Sequence, residues 1–263
     1  MKDLVILKLG GSIITYKKSK TPRANKTNIE RISREIASVY LAKKPPMIIV
    51  HGAGSYGHRI VKESGINRGI KSESQLKDFA KTQWLQNKLN CLVTQFLIKQ
   101  GIPAFPCQVS SFAVMKSEKL IKMDVSAIFG MVSIGMVPIL YGVPAFDQTQ
   151  KCSILSGDEI APYLAVKLDA KRIIYATNVD GVFTSDPNKD KNAKLISEIN
   201  SENIEDVKKS LADSTANDVT GEMYRKVCES LGIGIESQII SGLTEGNIAR
   251  ALNGESFGTI IKP

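Results

Sequence analysis

Residues that could hold a phosphate follow directly after apolar stretches of this sequence. Lys8 lies inside the apolar run LVILKLG (4–10), and Gly10, Gly11 and Ser12 begin a loop two residues later. A buried ammonium group needs an anionic partner, and glycines let backbone N–H groups approach a phosphate closely. The segment therefore predicts a phosphate-binding loop, with a strand-end turn and an edge lysine as the other interpretation.

A second glycine loop lies in the stretch IIVHGAGSYGH (48–58), which contains a GxGxxG pattern. A dinucleotide-binding unit with that pattern needs an acidic residue at the end of the next strand, and the next apolar run ends at Cys107 with no carboxylate. The sequence therefore favours a phosphate loop of another kind. In it, His58 stands at the start of a helix and could donate a hydrogen bond to an anion, whereas His51 has a structural role.

Three more glycine loops follow apolar runs later in the chain. They are ILSGDEI (154–160) with Asp158, ATNVDGV (176–182) with Asn178 and Asp180, and DVTGEMYRK (218–226) with Gly221 and Lys226. Asp158 either caps the helix predicted over 158–168 or orients lysines in a site. The second loop is either an ordinary turn or a support for a ribose or adenine edge.

Together these loops favour direct phosphoryl transfer. The chain has no GxxxxGK[ST] motif, which excludes a P-loop enzyme, and no obvious nucleophile paired with a base, which argues against covalent catalysis. Transfer between phosphates depends on positioning and on positive charge, and glycine amides and lysines supply both.

The elements that position the loops follow from apolar periodicity. Short apolar runs predict strands over 4–10, 47–52, 102–107, 137–142, 172–179 and 237–242, and helical spacing predicts helices over 28–41, 75–99, 123–135 and 158–168. Continuously apolar strands that alternate with helices predict an α/β fold, with an open, mainly parallel twisted sheet sandwiched by helices. Peripheral hairpins are predicted over 114–123 and 145–155. No repeat or linker divides residues 1–263, so we expect a single domain.

Composition narrows the class of protein. The chain has 263 residues, a formal net charge of +9 and four scattered cysteines without a CxxC pair. These features predict a cytoplasmic protein without a zinc site. No apolar run is long enough for a membrane span, and no basic-aromatic module indicates nucleic-acid binding. We assign no metal-ligating residue.

The order of the motifs resembles the amino-acid-kinase superfamily over the whole chain. The segments that carry the resemblance are KLGGS, HGAGSYGH, SGD, TNVDGVFTSDP and DVTGEM with the lysine that follows. His58, which closes the second loop, makes the chain most similar to the isopentenyl phosphate kinases, and fosfomycin-type kinases share this histidine. The resemblance implies an ATP- and Mg²⁺-dependent kinase that converts isopentenyl phosphate to isopentenyl diphosphate, as a homodimer. Kinases of another small phosphonate or phosphomonoester, and a non-catalytic nucleotide- or oxyanion-binding protein, are the alternatives.

The resemblance also implies roles for the matching residues. The catalytic set would be Lys8, Lys17, His58, Asp158 and Lys226, in which Asp158 holds the lysines and Lys17 stabilises the transferring phosphoryl group. The ATP-binding set would be Lys8, Gly10, Gly11, Ser12, Gly54, Asn178, Asp180, Gly221 and Lys226. The acceptor phosphate would contact Ala53, Gly54, His58 and Gly157. The N-terminal part would thus serve mainly the acceptor, and residues from about 158 to 263 mainly the nucleotide.

The sequence departs from the family pattern at three positions, where Ala53, Asn178 and Glu222 replace a glycine, an aspartate and a glycine. Alanine should serve at position 53 if only its backbone N–H is used. The apolar isopentenyl tail needs a pocket, and the long predicted helix offers Leu76, Phe79, Ala80 and Gln83 as one wall, with core packing as the other interpretation.

Overall fold

The computed structural model describes residues 1–263 apart from residues 2, 18, 186, 188, 189, 214–222 and 224–226. Its strands are β1 (Val5–Leu9), β2 (Met47–His51), β3 (Ala104–Pro106), β4 (Ala113–Lys116), β5 (Lys119–Met123), β6 (Val137–Tyr141), β7 (Val143–Asp147), β8 (Lys151–Leu155), β9 (Arg172–Thr177), β10 (Val182–Phe183), β11 (Leu195–Ile196), β12 (Glu198–Ile199), β13 (Ser237–Ser241) and β14 (Thr259–Ile261). Its α-helices are α1 (Gly11–Ile14), α2 (Lys26–Lys43), α3 (His58–Ser64), α4 (Glu73–Lys99), α5 (Ser126–Ser133), α6 (Gly157–Leu168), α7 (Ile204–Asp213) and α8 (Asn247–Leu252).

The main sheet has the strand order β12-β14-β13-β9-β1-β2-β6-β3. Its neighbours are parallel from β13 through β9, β1, β2 and β6 to β3, and the β13–β14 pair is antiparallel. All six predicted strands are present, and the prediction of a mainly parallel sheet is confirmed. No helix among the described residues is long and apolar enough to cross a membrane.

Helices cover both faces of the sheet because its strands are apolar on both sides. Ile6 of β1 and Leu4, just before this strand, belong to one buried cluster, which also contains α5 and α6 side chains. Leu7 and Leu9 belong to the other, which contains side chains of α2, α4 and α8. Successive residues of a strand point to opposite faces, so Lys8 lies on the face of β1 that α6 covers.

The predicted hairpins are also confirmed. Strands β4 and β5 pair antiparallel, as do β7 and β8, and together they form a second sheet in the order β5-β4-β7-β8.

The strand register brings the candidate loops to one edge of the main sheet. Leu9, the last residue of β1, pairs with His51 of β2 and with Ala176 of β9, and His51 in turn pairs with Tyr141 of β6. The loops after these strands therefore leave from neighbouring points. This carboxyl edge is where ligands bind in open α/β sheets.

Candidate active site

The loops after β1 and β2 touch through their backbones at two glycines. A Cβ atom on Gly11 would lie 2.5 Å from the amide nitrogen of Gly54 and 2.8 Å from its Cα. One on Gly52 would lie 2.7 Å from the nitrogen of Gly11. Real side chains do not tolerate such distances, so these positions require glycine for a close approach of two chains.

Gly54 also has a backbone conformation that favours glycine, with φ +51°, and a Cβ there would lie 2.0 Å from Oγ1 of Thr15. The Thr15 hydroxyl donates to the carbonyl of Gly11 at 2.7 Å and accepts from the amide of Ser55 at 3.1 Å. Thr15 thus ties the two loops together. The sequence reasoning missed Thr15, because nothing local distinguishes it from any threonine at a helix end.

The touching loops present unused amide donors. Among the described residues, the N–H groups of Gly11, Ala53 and Gly54 have no protein acceptor. Ala53 has φ −75° and ψ −31°, which alanine adopts without strain. Several free N–H groups on neighbouring backbone form a cradle suited to an anion.

Lys8 meets Asp158 beside these loops. Lys8 is 4% exposed, and its Nζ lies 2.8 Å from Oδ1 of Asp158. The anionic partner that a lysine inside an apolar strand requires is therefore a carboxylate at the start of α6. With only a small part of either side chain exposed, 6% and 21%, water screens this pair little.

Asp158 is not the cap of its helix. Ser156 caps α6: its hydroxyl accepts from the amide of Glu159 at 3.2 Å, and the Glu159 carboxylate accepts from the amide of Ser156 at 3.1 Å. This capping box provides acceptors for backbone N–H groups at the start of the helix without using Asp158. The carboxylate of Asp158 is thereby available to Lys8, so the interpretation of Asp158 as a helix cap was wrong.

Gly157 brings α6 against the end of β2. A Cβ on Gly157 would lie 3.3 Å from the carbonyl oxygen of His51, and one on Gly142 would lie 2.9 Å from the nitrogen of Gly157. Gly142 also donates its N–H to His51 O at 3.0 Å. Gly142 is a further glycine of this edge that sequence reasoning missed, although its place at the end of the run VPILYG was a usable signal.

The segments that carry Lys17 and His58 lie side by side. Ser55 exchanges two hydrogen bonds with the backbone of Arg23, at 3.1 and 3.2 Å, and Arg59 donates to the carbonyl of Lys20 at 2.6 Å. These contacts fasten the loop after α1 to the start of α3. Lys17 and His58 are both exposed at this junction, so both can meet a ligand.

On the other side of β1, the loop after β9 contacts the first glycine loop. Ser12 donates from its hydroxyl to Oδ1 of Asn178 at 3.3 Å, and Gly10 donates its N–H to Ala176 O at 2.8 Å. Asn178 and Asp180 are exposed. Gly221, Glu222 and Lys226 lie outside the described residues.

His51 is a buried residue that supports the structure of the site. Its ring is fully buried and stacks on Tyr141 with ring centroids 5.5 Å apart. Burial, opposed by a hydrogen bond with Gly52 and aided by the charge of Lys8, lowers the pKa of His51 to about 4. The ring is therefore neutral at physiological pH, as expected of a structural histidine.

The start of α4 is less buried than core packing would require. Leu76 is 53% exposed, Ala80 is exposed and Phe79 is half-buried. Gln83 donates from its side chain to the carbonyl of Pro144 at 3.0 Å, which joins α4 to β7. Core packing therefore does not account for Leu76, and the apolar wall stays available for a ligand.

No group of three or more His, Cys, Asp or Glu side chains that could hold a metal ion occurs in the described part of the chain.

Comparison with known proteins agrees with this architecture. Residues 3–239 match the model of the amino acid kinase family. The chain is 40% identical to an isopentenyl phosphate kinase of Methanothermobacter thermautotrophicus over 96% of each chain, and 36% identical to one of Methanocaldococcus jannaschii over 98% of each. A crystal structure of an isopentenyl phosphate kinase superposes with a TM-score of 0.81 at 36% identity, covering 98% of this chain and all of that one. The chain belongs to the amino acid kinase family.

Proposed function

We propose that this protein is an ATP-dependent kinase that phosphorylates isopentenyl phosphate to isopentenyl diphosphate. The observation that carries the proposal is the Lys8–Asp158 ion pair beside the amide cradle of two touching glycine loops. Fixed positive charge beside free backbone amides suits phosphate groups, which supports phosphoryl transfer. The similarity to isopentenyl phosphate kinases over almost the whole chain supports the choice of acceptor.

The reaction needs little covalent chemistry from the protein. An oxygen of the acceptor phosphate forms a bond to the γ-phosphorus of ATP, the bond from that phosphorus to the bridging oxygen breaks, and ADP leaves with the electron pair. The acceptor phosphate is largely ionised at neutral pH, so no general base is required. Repulsion between two anions is the main obstacle, and fixed positive charge and amide dipoles offset it.

On the nucleotide side, we assign Lys8, Gly10, Gly11, Ser12, Gly54, Asn178, Asp180, Gly221 and Lys226 to ATP. Lys8 is the central member, because Asp158 holds its ammonium group beside the glycine loop. The Nζ atom of Lys8 lies 2.8 Å from Oδ1 of Asp158. The contact between Ser12 and Asn178 supports a common nucleotide site for the loops after β1 and β9. Lys226 would add charge at the ATP phosphates.

On the acceptor side, we assign Ala53, Gly54, His58 and Gly157 to the phosphate of isopentenyl phosphate. His58 would position that phosphate by a hydrogen bond, and Lys17, whose loop is fastened to the same segment, would stabilise the transferring group. The tail would lie along the exposed apolar start of α4. The N-terminal part then serves mainly the acceptor, and residues from about 158 onward mainly the nucleotide.

Mg²⁺ would bind together with ATP, at the phosphates assigned to Lys8 and Lys226. When bound, it neutralises charge that builds on the departing diphosphate.

The proposal also includes a cytoplasmic location, a homodimer and a single domain. Cys91, Cys107, Cys152 and Cys228 are free thiols in the structure, which fits a reducing cytoplasm. The outer side of α4 exposes Trp84 (55%) and Ile98 (54%), apolar surface of the kind that a homodimer interface would cover. One sheet joins both parts of the chain, which supports a single domain.

An acceptor panel tests the function. Purified protein is mixed with ATP and Mg²⁺, and ADP release is measured with isopentenyl phosphate, fosfomycin, UMP or no acceptor. We expect ADP release to depend on isopentenyl phosphate. Brisk turnover of fosfomycin or UMP without turnover of isopentenyl phosphate would instead establish the alternative kinase. Nucleotide binding without turnover of any acceptor would establish the non-catalytic binder.

A further inference from the structure

The hydrogen bonds of His51 identify which of its ring nitrogens carries the proton. Nε2 lies 3.2 Å from Nδ2 of Asn90, and Nδ1 lies 3.0 Å from the carbonyl oxygen of Gly52. Nδ2 of Asn90 also donates to the carbonyl of Ile139 at 2.9 Å. A carbonyl oxygen only accepts, so the Asn90 atom between Ile139 and His51 is the NH₂ group, with two protons to donate.

The tautomer follows from these partners. The second proton of the Asn90 NH₂ group points to Nε2 of His51, which must therefore accept. The lowered pKa keeps the ring neutral, and a neutral imidazole that accepts at Nε2 carries its proton on Nδ1. Nδ1 therefore donates to the carbonyl of Gly52.

This hydrogen bond fixes a peptide unit of the acceptor loop. The peptide bond between Gly52 and Ala53 is trans, so the carbonyl of Gly52 and the N–H of Ala53 point in opposite directions. The preceding peptide is already held, because Gly52 N donates to Leu9 O at 2.9 Å and His51 O accepts from Gly142. With the Gly52 carbonyl turned toward the His51 ring, the Ala53 N–H points away from that ring, and no acceptor in the described part of the protein takes it.

We propose that His51 is a positioning residue for the acceptor phosphate: its Nδ1–H holds the Gly52 carbonyl, and the Ala53 N–H is thereby presented to that phosphate. Asn90 selects the required tautomer from its place on α4. This inference rests on the proposed function, since it assigns the phosphate at Ala53 to the acceptor. It gives a role in the reaction to a histidine that touches no substrate.

The tautomer is measured directly by NMR on the full chain labelled with ¹⁵N-histidine. The chain contains only two histidines, and a His58→Asn variant assigns their signals. We expect His51 to show a protonated Nδ1 and an unprotonated Nε2. A proton on Nε2 would overturn the proposal, and this readout requires neither a folded His51 variant nor turnover.

A matched pair of variants tests the consequence for the acceptor. His51→Asn places a side-chain N–H near the position of Nδ1, whereas His51→Gln reaches toward Asn90 and leaves the Gly52 carbonyl without its donor. We expect His51→Gln to raise KM for isopentenyl phosphate about 10-fold or more and to leave KM for ATP within about twofold, because the Ala53 N–H, no longer held in place, loses its hydrogen bond to the charged acceptor phosphate. His51→Asn should stay within about threefold of the unmodified protein for both substrates.

The two His51 variants distinguish a positioning role of His51 from a merely structural one. A merely structural His51 would lower the melting temperature in both variants and change acceptor KM equally in both, or in neither, and that result would overturn the proposal. Failure of the proposed function would show differently, as absence of isopentenyl phosphate turnover by the unmodified protein. In that case the KM comparison is made with the phosphonate or phosphomonoester that the protein does use.

Discussion

At the scale of single residues, the buried Lys8–Asp158 pair links stability to catalysis. An Asp158→Ala variant leaves the Lys8 ammonium buried without its carboxylate, so we expect the free energy of unfolding to fall by about 3 kcal/mol and kcat to collapse. Urea denaturation and steady-state kinetics measure the two effects.

A double variant, Lys8→Met with Asp158→Leu, is the control for this pair. Replacing both charges by apolar groups should restore most of the stability while activity stays lost. An unchanged urea midpoint in Asp158→Ala would show that the pair is not the buried contact described above.

Ala53 and Gly54 are neighbours that differ in their tolerance of substitution. Ala53 has an ordinary right-handed conformation, so Ala53→Gly should keep kcat/KM within about threefold and cost at most about 1 kcal/mol of stability. In Gly54→Ala, the new Cβ would meet Thr15 Oγ1 and Gly11 O at 2.0 and 2.7 Å, in a left-handed conformation. We expect that variant to lose at least about 100-fold in kcat/KM, because both loops must shift. Similar kinetics for the two variants would contradict the role of the backbone contact.

His58 is the residue that most directly tests the acceptor side. His58→Ala should lower kcat/KM for isopentenyl phosphate about 10²–10³-fold, as removal of a donor to a developing negative charge does. Nucleotide affinity, measured by calorimetry with ADP, should be unchanged. The assigned role is wrong if acceptor KM and kcat both match those of the unmodified protein.

At the scale of elements, one carboxylate joins the two hairpins. Asp147, buried at the end of β7, accepts from the amides of Glu118 (2.9 Å) and Thr149 (2.8 Å), which lie in the two hairpin turns, and from the hydroxyl of Ser153 (2.9 Å). Burial alone would raise the pKa of Asp147, but these hydrogen bonds outweigh it and bring the pKa to about 2.

The hairpin junction should therefore weaken in acid. Because the folded pKa lies below the unfolded value of 3.8, the unfolded chain binds more protons as pH falls. The stability from Asp147 is complete above about pH 5 and is lost as pH falls toward 2. Asp147→Asn should lower the free energy of unfolding at pH 7 by about 2 kcal/mol and flatten its decline below pH 5. Urea denaturation across pH measures this, with Asp3→Asn, whose side chain is 78% exposed, as control. Equal slopes for Asp147→Asn and the unmodified protein would contradict the assignment.

How much the sequence predicts depends on how local each signal is. Strands such as VPILYG are recognisable because they are buried on both faces and hence apolar throughout. The need of Lys8 for an anion was also predictable, since a charge in a buried strand is costly. Its partner did not follow from the residues alone, because Asp158 was also a candidate helix cap, and only the folded helix shows that Ser156 is the cap.

Other parts of the site depend on contacts between distant segments. Gly11 meets Gly54, and His51 meets Asn90 on a helix 39 residues further along the chain. Neither contact leaves a local pattern: a buried asparagine on a helix looks like any polar position of that helix. Asp147 shows the same limit, because its partners in the β4–β5 turn lie 29 and 30 residues before it.

At the scale of the whole molecule, one sheet carries both halves of the proposed site. Strand β1 from the N-terminal part lies between β2 and β9, and β9 belongs to the C-terminal part. Splitting the halves would expose the apolar faces of β1. We therefore expect one cooperative thermal transition, the same by far- and near-ultraviolet circular dichroism. Two separated transitions would contradict a single domain.

We propose that the whole molecule serves one reaction, in which the γ-phosphoryl group of ATP is joined to the phosphate of isopentenyl phosphate. The most direct measurement is ³¹P NMR of the reaction with ATP, Mg²⁺ and isopentenyl phosphate. We expect the monophosphate signal to be replaced by the two coupled signals of a diphosphate ester, with equimolar conversion of ATP to ADP. ATP cleavage that yields inorganic phosphate with the isopentenyl phosphate signal intact, or no reaction of isopentenyl phosphate at all, would contradict it.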